Sequence, residues 1–316
     1  MMISIITPCF NSSCVIPRLI NSLENQVCKN FEWIVVDDCS ENADYERLKR
    51  MLGQSCLQYS FFRNKENKGA GESRNMAIAN AKGKYFVFVD SDDFVEKDFV
   101  QKICDAIDYS KADIVFFDYK QVPRGKTYQT ISGKEYGEIN IDYTLVRVSS
   151  NVCGKVFSAK IIRDNNICFP NIKRFEDWVF GTTAISHSTK LYYIKNVLYN
   201  VVDNPQSITK NDNNAFYYAK LAFEFIKTLD VSYDIKELLF VREVLYTAIK
   251  DFCMKGNFEQ KQIIESLVSD YPKWYGNKYY RLLNSKVLLF TQLYRYNLIF
   301  GIKILLKIFF KIRKRV

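Results

Sequence analysis

Tyr85 to Val89, YFVFV, is an unbroken apolar run that stops abruptly at Asp90, Ser91, Asp92 and Asp93. A strand with no polar alternation is buried on both faces, so helices must cover the sheet above and below. The pattern recurs along the first 118 residues. ISIIT, FEWIVV, LQYSFF, YFVFV and ADIVFFD read as five strands. Helical patterns separate them. IPRLINSLENQ sets Ile16, Leu19, Ile20 and Leu23 at helical spacing around Pro17, which suits a first turn. AGESRNMAIANAKG reads as a helix ended by Gly83, and another helix starts near Val95 and runs to about Tyr109. Strands alternating with helices imply right-handed crossovers and a mainly parallel sheet, an α/β fold.

Downstream the pattern changes. Tyr119 to Ile141 is polar and reads as a loop or a small hairpin, and Asn151 to Val202 mixes short strands with helix. Beyond about Asn211 the chain is helical, with Phe216, Ala219, Leu221, Phe223 and Ile226 in one segment and Ile235 to Met254 in another. The 316 residues can bury a substantial core, as one large domain or one domain with an appendage.

In an open parallel sheet, ligands bind beyond the carboxyl ends of the strands. Here three ends carry polar residues: TPCFN, VVDDCS and VDSDD. Asp90 and Asp92, one residue apart, suit a hard divalent cation such as Mg²⁺ or Mn²⁺ that also binds phosphate oxygens. The competing reading has Asp92 or Asp93 capping the next helix, which leaves Asp90 without a role. Asp37 and Asp38 can accept hydrogen bonds from a nucleobase imide or a ribose hydroxyl, or they and Ser40 only cap a helix. Phe10 offers an apolar face near a base, or simply packs. Lys68 and Arg74 flank the Gly69–Gly71 bend, where cations beside a helix N-terminus suit a diphosphate. The chain has neither a P-loop signature nor a G-x-G-x-x-G after the first strand. In KRFEDWVFG, Glu176 and Asp177 lie between aromatic residues, whose burial would raise a carboxylate pKa toward that of a general base; capping is the alternative. The single histidine, His187, reads as surface or packing.

Taken together, ISIITPCFN, VVDDCSEN, NKGAGESRNMAIANAKGKYFVFVDSDD and FEDWVF resemble a family 2 glycosyltransferase of the GT-A fold. The resemblance is close over about residues 2 to 110 and thins through 150 to 210. It implies a Rossmann-like, mainly parallel sheet flanked by helices over residues 1–210, with a nucleotide-sugar half (1–118) and an acceptor half (119–210). Residues 211–316 would be a C-terminal helical region. Pro8, Phe10 and Asn11 would line the nucleotide pocket; Asp38 would hold the base with Asp37 beside it; Lys68 and Arg74 would lie near the ribose and diphosphate. Asp90 and Asp92 would form the metal pair, with Asp92 touching Mn²⁺ or Mg²⁺ directly, and Asp177 would be the general base. The implied reaction moves a sugar from a nucleotide sugar, UDP-linked by family habit, to a hydroxyl of a glycan or lipid-linked acceptor in surface-polysaccharide synthesis. A single in-line displacement would invert the anomeric configuration. Cys39 stands where the family usually has glycine, and Phe10 where Tyr is more usual. VCGKVFS and NPQSIT resemble recurrent segments of related enzymes, with no role assigned to their atoms. A sugar nucleotidyltransferase would need a Gly-rich basic loop after the first strand, and TPCFNSSCVIPR is a poor one. A non-catalytic, membrane-associated assembly protein is the other alternative.

Charge and cysteine content narrow the setting. The net charge is +10, but Tyr271 to Val316 holds eleven Lys and Arg and no acid, leaving 34 basic against 35 acidic residues before it. In LIFGIKILLKIFFKIRKRV, Lys303, Lys307, Lys311 and Lys314 share one helical arc and Leu305, Ile308 and Ile312 the opposite one. Such a helix can lie in a membrane interface, or pack on the body with its lysines solvated. Nucleic-acid binding is not expected, because no recognition motif accompanies the charge. Nine cysteines without a C-x-x-C pair, beside one histidine, nearly exclude a Cys/His zinc site and fit buried thiols in a reducing compartment. No signal peptide is evident, and the apolar stretch near the end falls short of the ~18–20 residues that span a bilayer. The expected location is cytoplasmic, peripheral to the inner face of the membrane.

Overall fold

A computed structural model describes residues 3–133, 136–203, 214–255 and 258–298. The chain divides into two compact units, residues 1–144 with 148–211, and residues 145–147 with 212–316. The NPQSIT segment and the basic helix expected around Lys303 to Lys314 lie outside the described residues.

The first unit is built on a ten-stranded sheet. Its first half alternates as the apolar pattern requires: β1 (Ile3–Cys9), α1 (Pro17–Glu24), β2 (Phe31–Asp37), α2 (Asn42–Gln54), β3 (Tyr59–Arg63), α3 (Ala70–Asn80) and β4 (Tyr85–Phe88). Every residue of β2 is buried, and every residue of β1 except Pro8. One face places Ile3, Ile5, Trp33, Val35 and Val87 against Leu19 and Leu23 of α1 and Leu48 and Leu52 of α2, in a single apolar cluster. The alternate residues carry an aromatic layer. Phe88 meets Phe169 and Phe180 edge to face, and those two rings stack with centroids 4.0 Å apart. Each such side chain taken fully out of water contributes about 1.5–3 kcal/mol.

After β4 the structure departs from the expected boundaries. The helix expected near Val95 begins at Phe99, as α4 (Phe99–Ser110), because Phe94–Val95 form β5 and pair antiparallel with Tyr199 and Asn200. A long-range strand pairing here overrides the local helical pattern. The fifth apolar run becomes β6 (Ile114–Val122), longer than ADIVFFD. It turns back as β7 (Lys126–Tyr128), so Tyr119–Ile141 is a hairpin followed by β8 (Gly137–Ile139). There follow α5 (Ile141–Arg147), whose last three residues count with the second unit, and then β9 (Lys155–Ser158), α6 (Ala159–Asp164), α7 (Glu176–Ser186) and β10 (Leu191–Val202). The strand order is β3-β2-β1-β4-β9-β6-β10-β5, with β7 on β6 and β8 on β10. Pairing is parallel from β3 through β4 and between β6 and β10, while β9 enters antiparallel between β4 and β6.

Gly154, just before β9, is required by its surroundings. Its φ is +78°, and a Cβ there would fall 2.7 Å from the Phe117 carbonyl oxygen and inside contact distance of Thr130 Oγ1. Both neighbours are committed: Thr130 Oγ1 donates to Phe117 O at 2.5 Å, and Phe117 N–H donates to Gly154 O at 3.0 Å. Gly154→Ala is expected to cost about 2–4 kcal/mol, from left-handed strain plus overpacking. Urea unfolding of the variant at an unchanged midpoint would refute this account of the position.

The second unit is helical among its described residues, with helices at Ala215–Lys227, Tyr233–Leu239, Tyr246–Lys255, Phe258–Ser269 and Ser285–Arg295. Ala219, Ala222, Phe223 and Ile226 form the buried stripe of the first; Ala222, not Leu221, is in helical register with the rest. The pattern from Ile235 to Met254 is interrupted by a π-helical stretch, Phe240–Leu245. Buried Arg242 lies in that stretch and donates from Nη1 to the carbonyls of Leu145 and Val146, both at 2.9 Å, which ties residues 145–147 to this unit. Among the described residues no helix is long and apolar enough to cross a membrane.

None of the nine cysteines forms a disulfide, and Cys9, Cys104, Cys153 and Cys253 are buried. Cys14, Cys56 and Cys168 are exposed, so burial does not account for every thiol. His187 is exposed at the end of α7, its Nδ1 2.9 Å from the Thr183 carbonyl oxygen.

Candidate active site

Parallel register brings the polar strand ends to one edge. Cys9 lies opposite Asp37 and Ile6 opposite Phe88, so the residues after β1, β2 and β4 emerge side by side. The first two loops are laced together. Asn11, at φ +48°, donates its N–H to Ser40 Oγ at 2.8 Å, and its Oδ1 accepts the Glu41 N–H at 3.0 Å. Phe10 projects from the same loop, 52% exposed, while Pro8 is half-buried in β1. Neither Asp37 nor Ser40 caps α2, whose N-cap is Glu41.

The two carboxylates after β2 are bound differently. Asp38 is tied to the chain: its Oδ1 accepts from Asn64 Nδ2 at 2.7 Å and the Lys68 N–H at 2.9 Å, and its Oδ2 from the Gly69 N–H at 2.7 Å. Those bonds shape the bend that opens α3. Buried Asp37 pairs through Oδ2 with Arg63 Nε at 3.2 Å and accepts the Ser40 N–H at the same distance. Its Oδ1 is buried with no hydrogen-bond partner. A carboxylate oxygen left so is costly, and of the two residues Asp37 has the unused acceptor.

Lys68 and Arg74 part company. The Lys68 ammonium is half exposed, 3.6 Å from Glu66. Arg74, in α3, is 4% exposed. Its Nη2 donates to Asp90 Oδ1 at 2.9 Å and its Nη1 to Asp177 Oδ1 at 2.8 Å, with Glu176 Oε1 at 3.8 Å. The guanidinium also lies over the Phe169 ring, 5.3 Å from its centroid. Burial alone would loosen its proton, but the charges of Asp177, Asp90 and Glu176 outweigh burial and hold it more tightly than in a free arginine. Arg74 therefore bridges the acidic end of β4 and the start of α7.

The acidic groups respond to the same balance. Burial, then the charge of Asp177, pushes Glu176 up to about 7 against the pull of Arg74. Burial also raises Asp177; Arg74 opposes it, Asp90 adds to it, and the Val152 N–H and the Lys155 charge oppose it further. Glu176 and Asp177 open α7, but its N-cap is Phe175 and no side chain caps it. Asp93 does not cap α4 either. Its Oδ2 accepts from the Tyr199 hydroxyl at 2.7 Å and its Oδ1 from the Val202 N–H at 2.8 Å. The same hydroxyl accepts the Asp90 N–H at 3.1 Å, fixing the turn after β4 from β10.

Asp90, Asp93 and Cys153 bring their potential ligand atoms within 4.8 Å of one another. A hard cation discriminates among them. Asp93 already has a donor on each oxygen, and the Cys153 thiol is held protonated by burial and by Asp90 and Asp93. Asp90, whose Oδ1 also takes the Arg74 guanidinium, and half-buried Asp92 two residues on carry hard carboxylate oxygens of the kind that Mg²⁺ or Mn²⁺ prefers. Sequence reasoning gave no site role to Asp93, Tyr199, Cys153 or Lys155: Asp93 stands in VDSDD and Cys153 and Lys155 in VCGKVFS, but nothing in those segments singles them out.

Comparison with known proteins identifies the family and the fold. Residues 4–165 match the sequence family described as Glycosyl transferase family 2. The poly(ribitol-phosphate) beta-N-acetylglucosaminyltransferase TarS of Staphylococcus aureus is 28% identical over 207 residues, covering 63% of this chain and 35% of that one. A poly(ribitol-phosphate) beta-glucosyltransferase of Bacillus spizizenii is 31% identical over 197 residues, covering 60% and 30%. The chain thus spans about a third of the length of these curated relatives. The crystal structure of TarS 1–349 in complex with UDP-GlcNAc superposes with a TM-score of 0.71 at 24% identity, over 87% of this chain and 81% of that one. A mannosyltransferase from Pyrobaculum calidifontis, solved with GDP-Man and Mn²⁺, shares the fold at a TM-score of 0.57 and 14% identity, over 93% and 87%. With the family match extending over half of its length, the chain belongs to glycosyl transferase family 2.

Proposed function

We propose that the chain transfers a sugar, with inversion, from a UDP-linked donor to a hydroxyl of a bacterial surface polymer. The observation that carries the reading is the Arg74 fork, which brings Asp90 of the strand end and Asp177 of FEDWVF into one cluster. Relatives that act on poly(ribitol phosphate), one of them crystallised with UDP-GlcNAc, support the substrate class. Asp37, with its unused buried oxygen, and Asp38 would receive the nucleobase, and exposed Phe10 would flank it beside Pro8 and Asn11. Lys68 would face the diphosphate. Asp90 and Asp92 would hold Mn²⁺ or Mg²⁺, which when bound supplies positive charge for the departing diphosphate. Asp177 takes the proton of the acceptor hydroxyl. The freed oxygen forms the new bond to the anomeric carbon as the bond to the diphosphate breaks, and the nucleoside diphosphate leaves with the electron pair. Arg74 keeps both reacting ends of the cluster at a fixed separation.

The test is a panel of nucleotide sugars with a poly(ribitol phosphate) acceptor, scored for nucleoside diphosphate release with and without Mn²⁺. One donor is expected to react, only with metal, and Asp92→Ala should lower its rate by about 10²-fold. Metal-independent release that the folded variant retains would overturn the metal assignment. UDP that fails to bind in calorimetry would overturn the nucleotide site, and UDP binding without release across an acceptor panel would favour an assembly protein.

A further inference from the structure

Lys155 opens β9 at 1% exposure, in a segment to which the reaction as drawn above gives no role. Lysine is almost never fully buried unless its charge is answered. Here the ammonium donates to the Ser149 carbonyl oxygen at 3.0 Å, to Ser149 Oγ at 3.2 Å, and to the Asn151 carbonyl oxygen. Ser149 Oγ in turn donates to Asn151 Oδ1 at 2.9 Å. Three donors on one flexible stem thus fold residues 149–151 back over the start of β9. Arginine's planar fork would be a poor substitute, since its donors do not converge on three oxygens in so small a volume.

The next residue makes that fold consequential. Val152 is fully buried, and its N–H donates to Asp177 Oδ2 at 3.3 Å. Arg74 occupies the other oxygen, so Asp177 is gripped from both sides. The Arg74 contact comes from α3, and the Val152 contact from a loop whose shape Lys155 maintains. Lys155 also lies near enough for its charge to act on Asp177.

We infer that Lys155 is a positioning residue for Asp177, acting through the 149–152 loop and the Val152 N–H. The inference rests on the reading of Asp177 as the general base. Lys155 need not touch substrate. Its work is to keep the Asp177 carboxylate oriented, and a small misplacement of a reacting group can cost about 10²-fold.

Lys155→Met keeps an unbranched stem one atom shorter and removes the charge and donors. The variant is expected to lose about 10²-fold in kcat while binding UDP within about twofold of wild type. Hydrogen exchange should show the Val152 amide opening while the β9 amides stay protected. In an Asp177→Asn background the same change should cost less than about threefold, because the group it positions is already gone. A wild-type kcat with the Val152 amide still protected would overturn the inference. So would an equal loss in both backgrounds, which is what a general structural role produces. If Lys155→Met does not fold, Lys155→Gln, which keeps a neutral donor, is read by the same measurements. Should Asp177→Asn itself retain activity, the base reading fails, and exchange at Val152 still decides whether Lys155 holds the loop.

Discussion

Asp177→Asn is expected to lower the transfer rate by about 10³-fold, within the range that general base catalysis supplies. The substitution suits the site because it preserves shape. The Asn carbonyl can still accept from Arg74 Nη1, and the main loss is the longer bond from the Val152 N–H. UDP affinity and the unfolding midpoint should therefore change little, and the loss should fall on kcat. The pH profile gives a second reading. Burial holds the Asp177 pKa above the ordinary carboxylate value, so the wild-type rate should fall with acid at a pH higher than a free aspartate would give. That acid limb should vanish with the residue. Glu176→Gln is the control: Glu176 is also raised, to about 7, but its link to Arg74 is only 3.8 Å. If Glu176→Gln is the dead variant and Asp177→Asn the active one, the two residues exchange roles.

Arg74→Met should destabilise the fold by about 3–5 kcal/mol, the usual cost of stripping a buried ionic cluster of one partner. The side chain fits, but Asp90, Glu176 and Asp177 lose the cation that answers them. The loss should depend on pH with a definite sign. Glu176 already binds its proton more tightly folded than unfolded, about 7 against 4.5. Between those values the folded state holds more protons, so this group's contribution to stability falls as pH rises. Without the arginine Glu176 and Asp177 rise further, so the deficit should be smaller at pH 5 than at pH 8. Urea unfolding at the two pH values measures it, and an equal deficit at both would sink the argument. Arg74→Lys should recover only part, since an ammonium does not reproduce the fork that reaches Asp90 and Asp177 together.

Much of the sheet edge could be read from the chain. YFVFV ending in VDSDD, FEWIVV ending in VVDD and ISIIT ending in TPCFN are local statements, because a strand and its terminal polar residues are contiguous. Apolar continuity required burial on both faces, and burial required the helices of β1 through β4. Asp90, Asp92 and Asp177 could be singled out in the same way, since each belongs to a short motif whose residue types carry their own chemistry.

The alternating half of the sheet and the motifs at its edge are thus local properties of the chain. Tertiary structure decided the partners. Arg74 and Asp177 are 103 positions apart, and Tyr199 and Asp93 are 106 apart. No periodicity links such residues. Chain position places Arg74 at the bend that opens α3, and only the fold brings three carboxylates to it. Phe94 and Val95 became strand only because β10 offered an edge, and Gly154 became obligatory only because Thr130 and Phe117 close over it. Local pattern specifies which face is buried; the balance of charge in the interior depends on which buried groups meet, and folding alone brings them together.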